Sequence, residues 1–293
     1  MTCEFAGLQE IGDRDEQQDA FGFAGPLGRG SPGPGGALGA VADGVGGLQH
    51  GALAARTAVS AFLAAYRPGG PVAARAPEAL HAAAHSAHEA VLAAAGQAGA
   101  AGRTAATLAV AAVIGPELHW ISAGDSRVYL VRDGRLHQIT RDHTYGAQLD
   151  DQAFDQGAVS LAGGDEEDKR EVVTSCLGMP GVLAVDASRT SVRLLPGDIV
   201  MVCSDGLYKT LPEQRIAQLA TSPLDVACRR LLDAVLAEHA EGQDNATVLL
   251  MAPHADRADQ LAAPAQSASL APPSRGTPLQ PAGITNWFSR KPR

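Results

Sequence analysis

Twice this chain runs an apolar stretch straight into an Asp-Gly pair: Ala40-Val41-Ala42 into Asp43-Gly44, and Ile199-Val200-Met201-Val202-Cys203, through Ser204, into Asp205-Gly206. A short apolar run broken by glycine reads as a buried strand that stops abruptly. A carboxylate at such an end is aimed outward from a rigid element, which suits a metal ligand or a catalytic group. Gly44 has no Cβ, so its carbonyl can approach a cation closely. Taken alone, Asp43 reads more simply as the start of a turn, since Asp-Gly is a common turn dipeptide. The companions shift the balance. Asp19 and Asp244 also sit at ends of apolar strands, next to Ala20-Phe21 and to Asn245 respectively.

Buried carboxylates gathered in one place repel each other and need counter-charge. If these four converge, divalent cations resolve the repulsion, and an all-oxygen set without His or Cys favours Mg²⁺ or Mn²⁺. Two such ions about 3.5–4 Å apart, sharing a carboxylate and a water, lower that water's pKa from about 15.7 toward about 7. The resulting hydroxide suits in-line attack on a phosphoryl group. Arg14, just ahead of Asp19, offers a planar guanidinium fork that matches phosphate geometry.

The remaining chemistry is bounded by composition. With 293 residues, 45% of them hydrophobic, the chain can bury the core of one large domain or two small ones. A net charge of −9 argues against nucleic acid as a partner. No apolar run reaches the length of a membrane span, and the first residues lack the pattern of a secretory signal. Cys3, Cys176, Cys203 and Cys228 form no CxxC pair and read as buried reduced thiols, so we expect a cytoplasmic protein.

Along the chain, residues 1–24 read as two strands joined by the charged turn Gly12–Asp19, and the Gly/Pro stretch 25–36 as a surface loop. Helices are expected over Gln49–Tyr66 and about Pro77–Ala95. On the second helix His81, His85 and His88 have metal-ligand spacing, yet no carboxylate–His motif accompanies them and a solvated face is the simpler account. Thr107–Ile114, Leu118–Ser122, Val128–Arg132 and Leu136–Ile139 read as an antiparallel meander, with Asp133-Gly134 as a hairpin turn. The polar, acidic stretch 144–169 reads as a flap over the fold. Strands over Val182–Leu194 and Ile199–Cys203, helices about Pro212–Leu219 and Leu224–Ala240, and a strand over Thr247–Met251 follow. Residues 253–293, rich in Pro, Ala, Ser and Gln, read as a disordered tail with a basic, aromatic end.

Arg14 to Asp19 in a G-x-R-x-x-x-x-D frame, VADGVGG, GDSRVYLVRDG, LLPGDIVMVCSDGLY and GQDNATVLL occur in this order over roughly residues 5–252. Together they resemble the metal-dependent serine/threonine protein phosphatases of type 2C, bacterial members above all. The resemblance implies an α+β fold: a four-layer α-β-β-α sandwich, two antiparallel sheets flanked by antiparallel helices. It implies a domain at 1–252, a binuclear site of Mn²⁺ or Mg²⁺ and a weaker third ion. Asp43 would bridge both ions, the Gly44 carbonyl would ligate one, Asp205 and Asp244 would hold the first, and Asp19 would bind a metal or its waters. Arg14 would grip the substrate phosphate, and a metal-bridging hydroxide would hydrolyse phosphoserine or phosphothreonine on proteins, opposing a Ser/Thr kinase. Asp125 matches a ligand of the third ion, with Asp205, and reads equally as a hairpin turn residue. We expect a monomer.

Three positions depart from the family pattern. Gln18 stands where many members have Glu or Gln and adds no charge, and Val45 stands where some carry a histidine acid. Lys209 replaces a frequent Asp and would repel a third cation. His143 matches a family position and reads as an anchor for the start of the flap. Two readings compete with the phosphatase: a catalytically silent phosphoprotein-binding module, and a hydrolase of small phosphate esters on the same fold.

Overall fold

The computed structural model describes residues 2–25, 36–45, 50–66, 75–155 and 167–254. Residues 26–35 of the loop expected at 25–36, the middle of the expected flap (156–166) and residues 255–293 of the expected tail lie outside the described residues.

Two sheets form the centre. In one, β1 (Thr2–Glu10), β11 (Ala246–His254), β10 (Ile199–Cys203), β6 (Arg127–Arg132) and β7 (Arg135–Gln138) lie side by side in that order. In the other, β2 (Asp19–Ala24), β3 (Ala37–Asp43), β4 (Leu108–Ile114) and β5 (Glu117–Ala123) are followed by β8 (Asp186–Ala187), with β9 (Val192–Arg193) also on β5. Every pairing is antiparallel.

The side chains show why these strands read as unbroken apolar runs. In β3, Leu38, Ala40 and Ala42 face a core shared with α1 (Gly51–Ala65) and α2 (Ala76–Gln97), while Ala37 and Val41 face the opposite sheet. In β10, Met201 and Cys203 face a core shared with α6 (Glu213–Leu219) and α7 (Leu224–Ala237), while Val200 and Val202 face inward. Both faces of each sheet are covered, so the polar half of the usual alternation is lost. The result is the expected four-layer sandwich.

The structure differs from the sequence expectation in four places. The meander is two hairpins: β4 pairs β5 in one sheet and β6 pairs β7 in the other, with Gly124-Asp125-Ser126 carrying the chain across. The charged turn after β1 makes the same crossing, since β1 and β2 lie in different sheets. The expected strand over Val182–Leu194 shrinks to β8 and β9. Between them the Ser188 hydroxyl takes the Trp120 N–H at 3.2 Å, which a continuous strand would have met with a backbone carbonyl. His81 and His85 are exposed as expected, but His88 is buried and accepts the Gly178 N–H at Nδ1 (3.3 Å).

Candidate metal centre

Both sheet crossings end at the same pole of the sandwich. Asp19 opens β2 directly opposite Asp43, which closes β3. Cys203 at the end of β10 pairs with Val248 and Arg127, so Asp205, Asp244 and Asp125 emerge from three neighbouring strands beside them. A cleft of about 690 Å³ opens there, lined by Arg14, Gln18, Asp43, Gly44, Asp125, Asp205, Lys209 and Asp244 among others.

Both Asp-Gly pairs need their glycine for packing. A Cβ on Gly44 would lie 2.5 Å from the Gly51 backbone at the start of α1, and one on Gly206 would collide with the Asn245 carbonyl. Gly44 therefore lets the end of β3 run against a helix, beyond any freedom it gives its own carbonyl.

Asp19 does not line the cleft. It lies beneath Asp43, 4% exposed, and its Oδ2 accepts hydrogen bonds from Ser204 Oγ and Thr247 Oγ1 at 2.7 Å each. These hydroxyls come from the opposite sheet, and Ser204 Oγ also accepts the Thr247 N–H (2.9 Å). Asp19 Oδ1 has no hydrogen-bond partner among the described residues. Burial raises the Asp19 carboxyl to about 6 against the pull of its two hydroxyl donors, with Asp205 and Asp244 adding to the rise. Asp43 is held well above the usual carboxylate range, first by burial, then by the charges of Asp19, Asp205 and Asp125. Asp205 stands within hydrogen-bonding reach of Asp43, which raises the Asp43 carboxyl further, and Asp205 Oδ1 has no hydrogen-bond partner among the described residues. Asp125, almost fully buried, is pushed to about 6 by burial and then by Asp205.

The outer side of the cleft carries its own cations. The Arg14 Nε and Nη2 donate to the two oxygens of Asp244 at 2.9 Å each, with both side chains about half exposed. Lys209 Nζ reaches Asp205 at 2.8 Å, Glu171 at 3.1 Å and Asp125 at 3.7 Å. Consistent with those pairings, no three His, Cys, Asp or Glu side chains among the described residues form a ready-made metal cage. The carboxylates nevertheless fit hard divalent cations: one oxygen each of Asp19 and Asp205 has no hydrogen-bond partner among the described residues, burial and then neighbouring carboxylates raise Asp19 and Asp43, and no described His or Cys lines the cleft.

Four polar residues that the sequence did not single out hold this geometry. Besides Ser204 and Thr247, Thr107 Oγ1 accepts the Asp43 N–H (2.9 Å) and bonds Ser126 Oγ (2.6 Å). Asn245 takes the Gln18 N–H at Oδ1 and donates to the Ile11 carbonyl, both at 2.7 Å, fixing the crossing that carries Arg14. Each is adjacent to or within a strand-end motif, which was the only available signal. His143 hydrogen-bonds Gly124 through its backbone N–H at 2.9 Å, and Thr144 bridges Val173, so the base of the 144–169 stretch is tied to the Asp125 turn.

A family model described as protein phosphatase 2C matches residues 6–239. The chain belongs to the protein phosphatase 2C family. Its relatives include the serine/threonine protein phosphatase PstP of Mycobacterium tuberculosis, 30% identical over 214 residues that make up 72% of this chain and 39% of that protein. This family member spans about half, or less, of the length of such curated relatives. Among solved structures, the M. tuberculosis PstP/Ppp phosphatase superposes with a TM-score of 0.70 at 24% identity, covering 87% of this chain and all of that one. The catalytic domain of PstP in complex with two manganese ions gives a TM-score of 0.63 at 25% identity, covering 85% and 97%.

Proposed function

We propose that this protein phosphatase 2C-family chain is a metal-dependent hydrolase of phosphoserine and phosphothreonine on proteins. The observation that carries this reading is the convergence of Asp19, Asp43, Asp125, Asp205 and Asp244, from both sheets, at one pole with a guanidinium at its rim. Asp43 and the Gly44 carbonyl, with Asp205 and Asp244, would hold two Mn²⁺ or Mg²⁺ ions; family membership and the manganese-bound neighbour support this assignment. When bound, such ions acidify water and neutralise phosphoryl oxygens. Asp19 fixes the floor from below, its carboxylate anchored across the sheets by Ser204 and Thr247. Arg14 orients the phosphoryl group from the rim, where its fork can exchange Asp244 for phosphate. Gln18 adds a neutral acceptor to the wall, and Val45 beside Gly44 has no proton to give the leaving alkoxide.

The domain is assigned to residues 1–252. We further infer phosphoprotein substrates set by a Ser/Thr kinase, a monomeric state and a cytoplasmic location; no helix among the described residues is long and apolar enough to cross a membrane. The test is hydrolysis of an aryl phosphate in millimolar Mn²⁺, abolished by EDTA and by Asp43→Asn. Equal turnover by wild type and Asp43→Asn would overturn the proposal in favour of a silent phosphoprotein-binding module. Parallel assays on phosphoproteins and small phosphate esters separate the protein phosphatase from the small-ester hydrolase.

A further inference from the structure

Lys209 touches three carboxylates that belong to three different segments. Asp205 begins α5 (Asp205–Tyr208), Asp125 sits in the turn between β5 and β6, and Glu171 follows α4 (Glu167–Arg170). Their oxygens lie 2.8, 3.7 and 3.1 Å from the ammonium. An ordinary surface pair of a lysine with the residue four positions earlier would account for Asp205 alone. It leaves the other two contacts unexplained.

The frame around Lys209 is rigid. Tyr208, its neighbour, donates its hydroxyl to the Asp125 carbonyl at 3.0 Å, and the Arg127 guanidinium stacks 3.6 Å above the Tyr208 ring. Arg127 is in turn forked onto Asp142 and is not available to Asp125. Arg14, the other cation at this pole, is forked onto Asp244. Among the described residues Lys209 is thus the cation paired with Asp125 and Glu171. Burial opposes its charge, but Asp205, Asp125 and Glu171 outweigh that and hold the ammonium above its ordinary pKa.

We propose that Lys209 is a resident cation of the outer carboxylate cluster, closing Asp125 and Asp205 to a further divalent ion and fastening the Glu171 segment to the metal centre. A tethered amine competes at high effective concentration, because its backbone is already held beside the cluster. With Lys209 in place the centre takes no ion beyond the two assigned to Asp43, Gly44, Asp205 and Asp244, and the residues after α4 are pinned at the cleft wall they help form with Glu171, Val172 and Val173. The proposal rests on reading the inner carboxylates as a metal centre.

The test counts Mn²⁺ bound per metal-stripped full-length chain, by calorimetric titration and by electron paramagnetic resonance of the free ion, for wild type, Lys209→Ala, Lys209→Met and Lys209→Arg. The two neutral variants should bind one Mn²⁺ more than wild type, while Lys209→Arg keeps the wild-type count. Adding Asp125→Asn to Lys209→Ala should remove the extra ion. In metal-free protein, amides 170–174 of the neutral variants should exchange about fivefold faster, the scale of losing a half-buried ion pair. Lys209→Met keeps the aliphatic stem and guards against a packing defect in Lys209→Ala. Equal, non-zero counts in wild type and the neutral variants overturn the resident cation and leave the metal centre standing. A wild type that takes up no Mn²⁺ overturns the metal centre itself. An extra ion without faster exchange upholds the cation and overturns the fastening of the Glu171 segment.

Discussion

Asp19 and Asp43, at the inner end of the cleft, form no ion pair among the described residues, whereas Asp244 and Asp205, at its outer side, hold Arg14 and Lys209. Among the described residues the inner pair is met by hydroxyls, from Ser204 and Thr247 for the Asp19 carboxylate and from Thr107 for the Asp43 backbone, and by no cation. Burial and then the neighbouring carboxylates push both carboxyls upward, and neutral donors that fix direction do not cancel that charge, so one Asp19 oxygen keeps no partner among the described residues. Of the outer carboxylates, Asp244 is neutralised by the half-exposed Arg14 fork, which can be exchanged for ligand, and Asp205 by Lys209, which two further carboxylates hold in place. The inner half is therefore built for a cation the chain does not supply, and the Arg14 side of the outer half for exchange between internal and external partners.

The largest expected effects separate the halves directly. Asp43→Asn should lower kcat about 10³-fold or more, since it removes the charge meant to hold the nucleophile and its counter-ions. Mn²⁺ uptake should weaken with it. Arg14→Ala should cost about 10–100-fold in kcat/KM on a phosphopeptide, mostly through KM, and leave the number of bound Mn²⁺ ions unchanged. Steady-state kinetics with parallel ion counting check both. Loss of metal in Arg14→Ala would show that the outer cation is structural, and the contrast between halves would collapse.

This contrast was only half legible in the sequence. The strand-end aspartates could be read because an apolar run stops at Asp43-Gly44 and Asp205-Gly206 and another starts at Asp19 and after Asp244-Asn245, a local signal. The hydroxyls that hold the inner half could not, because a Ser or Thr next to such a motif looks the same whether it crosses to another sheet or faces water. Ser204 and Thr247 meet Asp19 from 185 and 228 residues away in sequence. The switch between sheets at Gly124–Ser126 was hidden for a related reason. Strands buried on both faces lose their polar alternation, so nothing local says which sheet a strand joins. The layer architecture survived this, since it depends on element order and burial more than on pairing.

Stability measurements in EDTA sharpen the comparison at an intermediate scale. Ser204→Ala or Thr247→Val removes a donor from a carboxylate that is 4% exposed, at a cost of about 1–3 kcal/mol each in urea unfolding. Saturating Mn²⁺ should stabilise the wild type by about 2.7 kcal/mol at a hundred times its Kd. Asp43→Asn should lose most of that gain, and Arg14→Ala should keep it. A Ser204→Ala protein as stable as wild type would mean that the inner floor is not held across the sheets.

The smallest effect belongs to the outer rim, and its smallness is the point. Arg14 and Asp244 meet in a bidentate geometry, but their side chains are 54% and 45% exposed. Exposed pairs of this kind contribute under about 1 kcal/mol and are screened by salt. Arg14→Ala in EDTA should therefore shift unfolding by less than about 1 kcal/mol at low salt, and by less again in 1 M salt. The fork exists in the resting chain because Asp244 has no better partner, and it can open without unfolding anything around it. A destabilisation as large as that of Ser204→Ala, unchanged by salt, would place Arg14 among the groups that hold the pole together and remove it from those free to meet a phosphate.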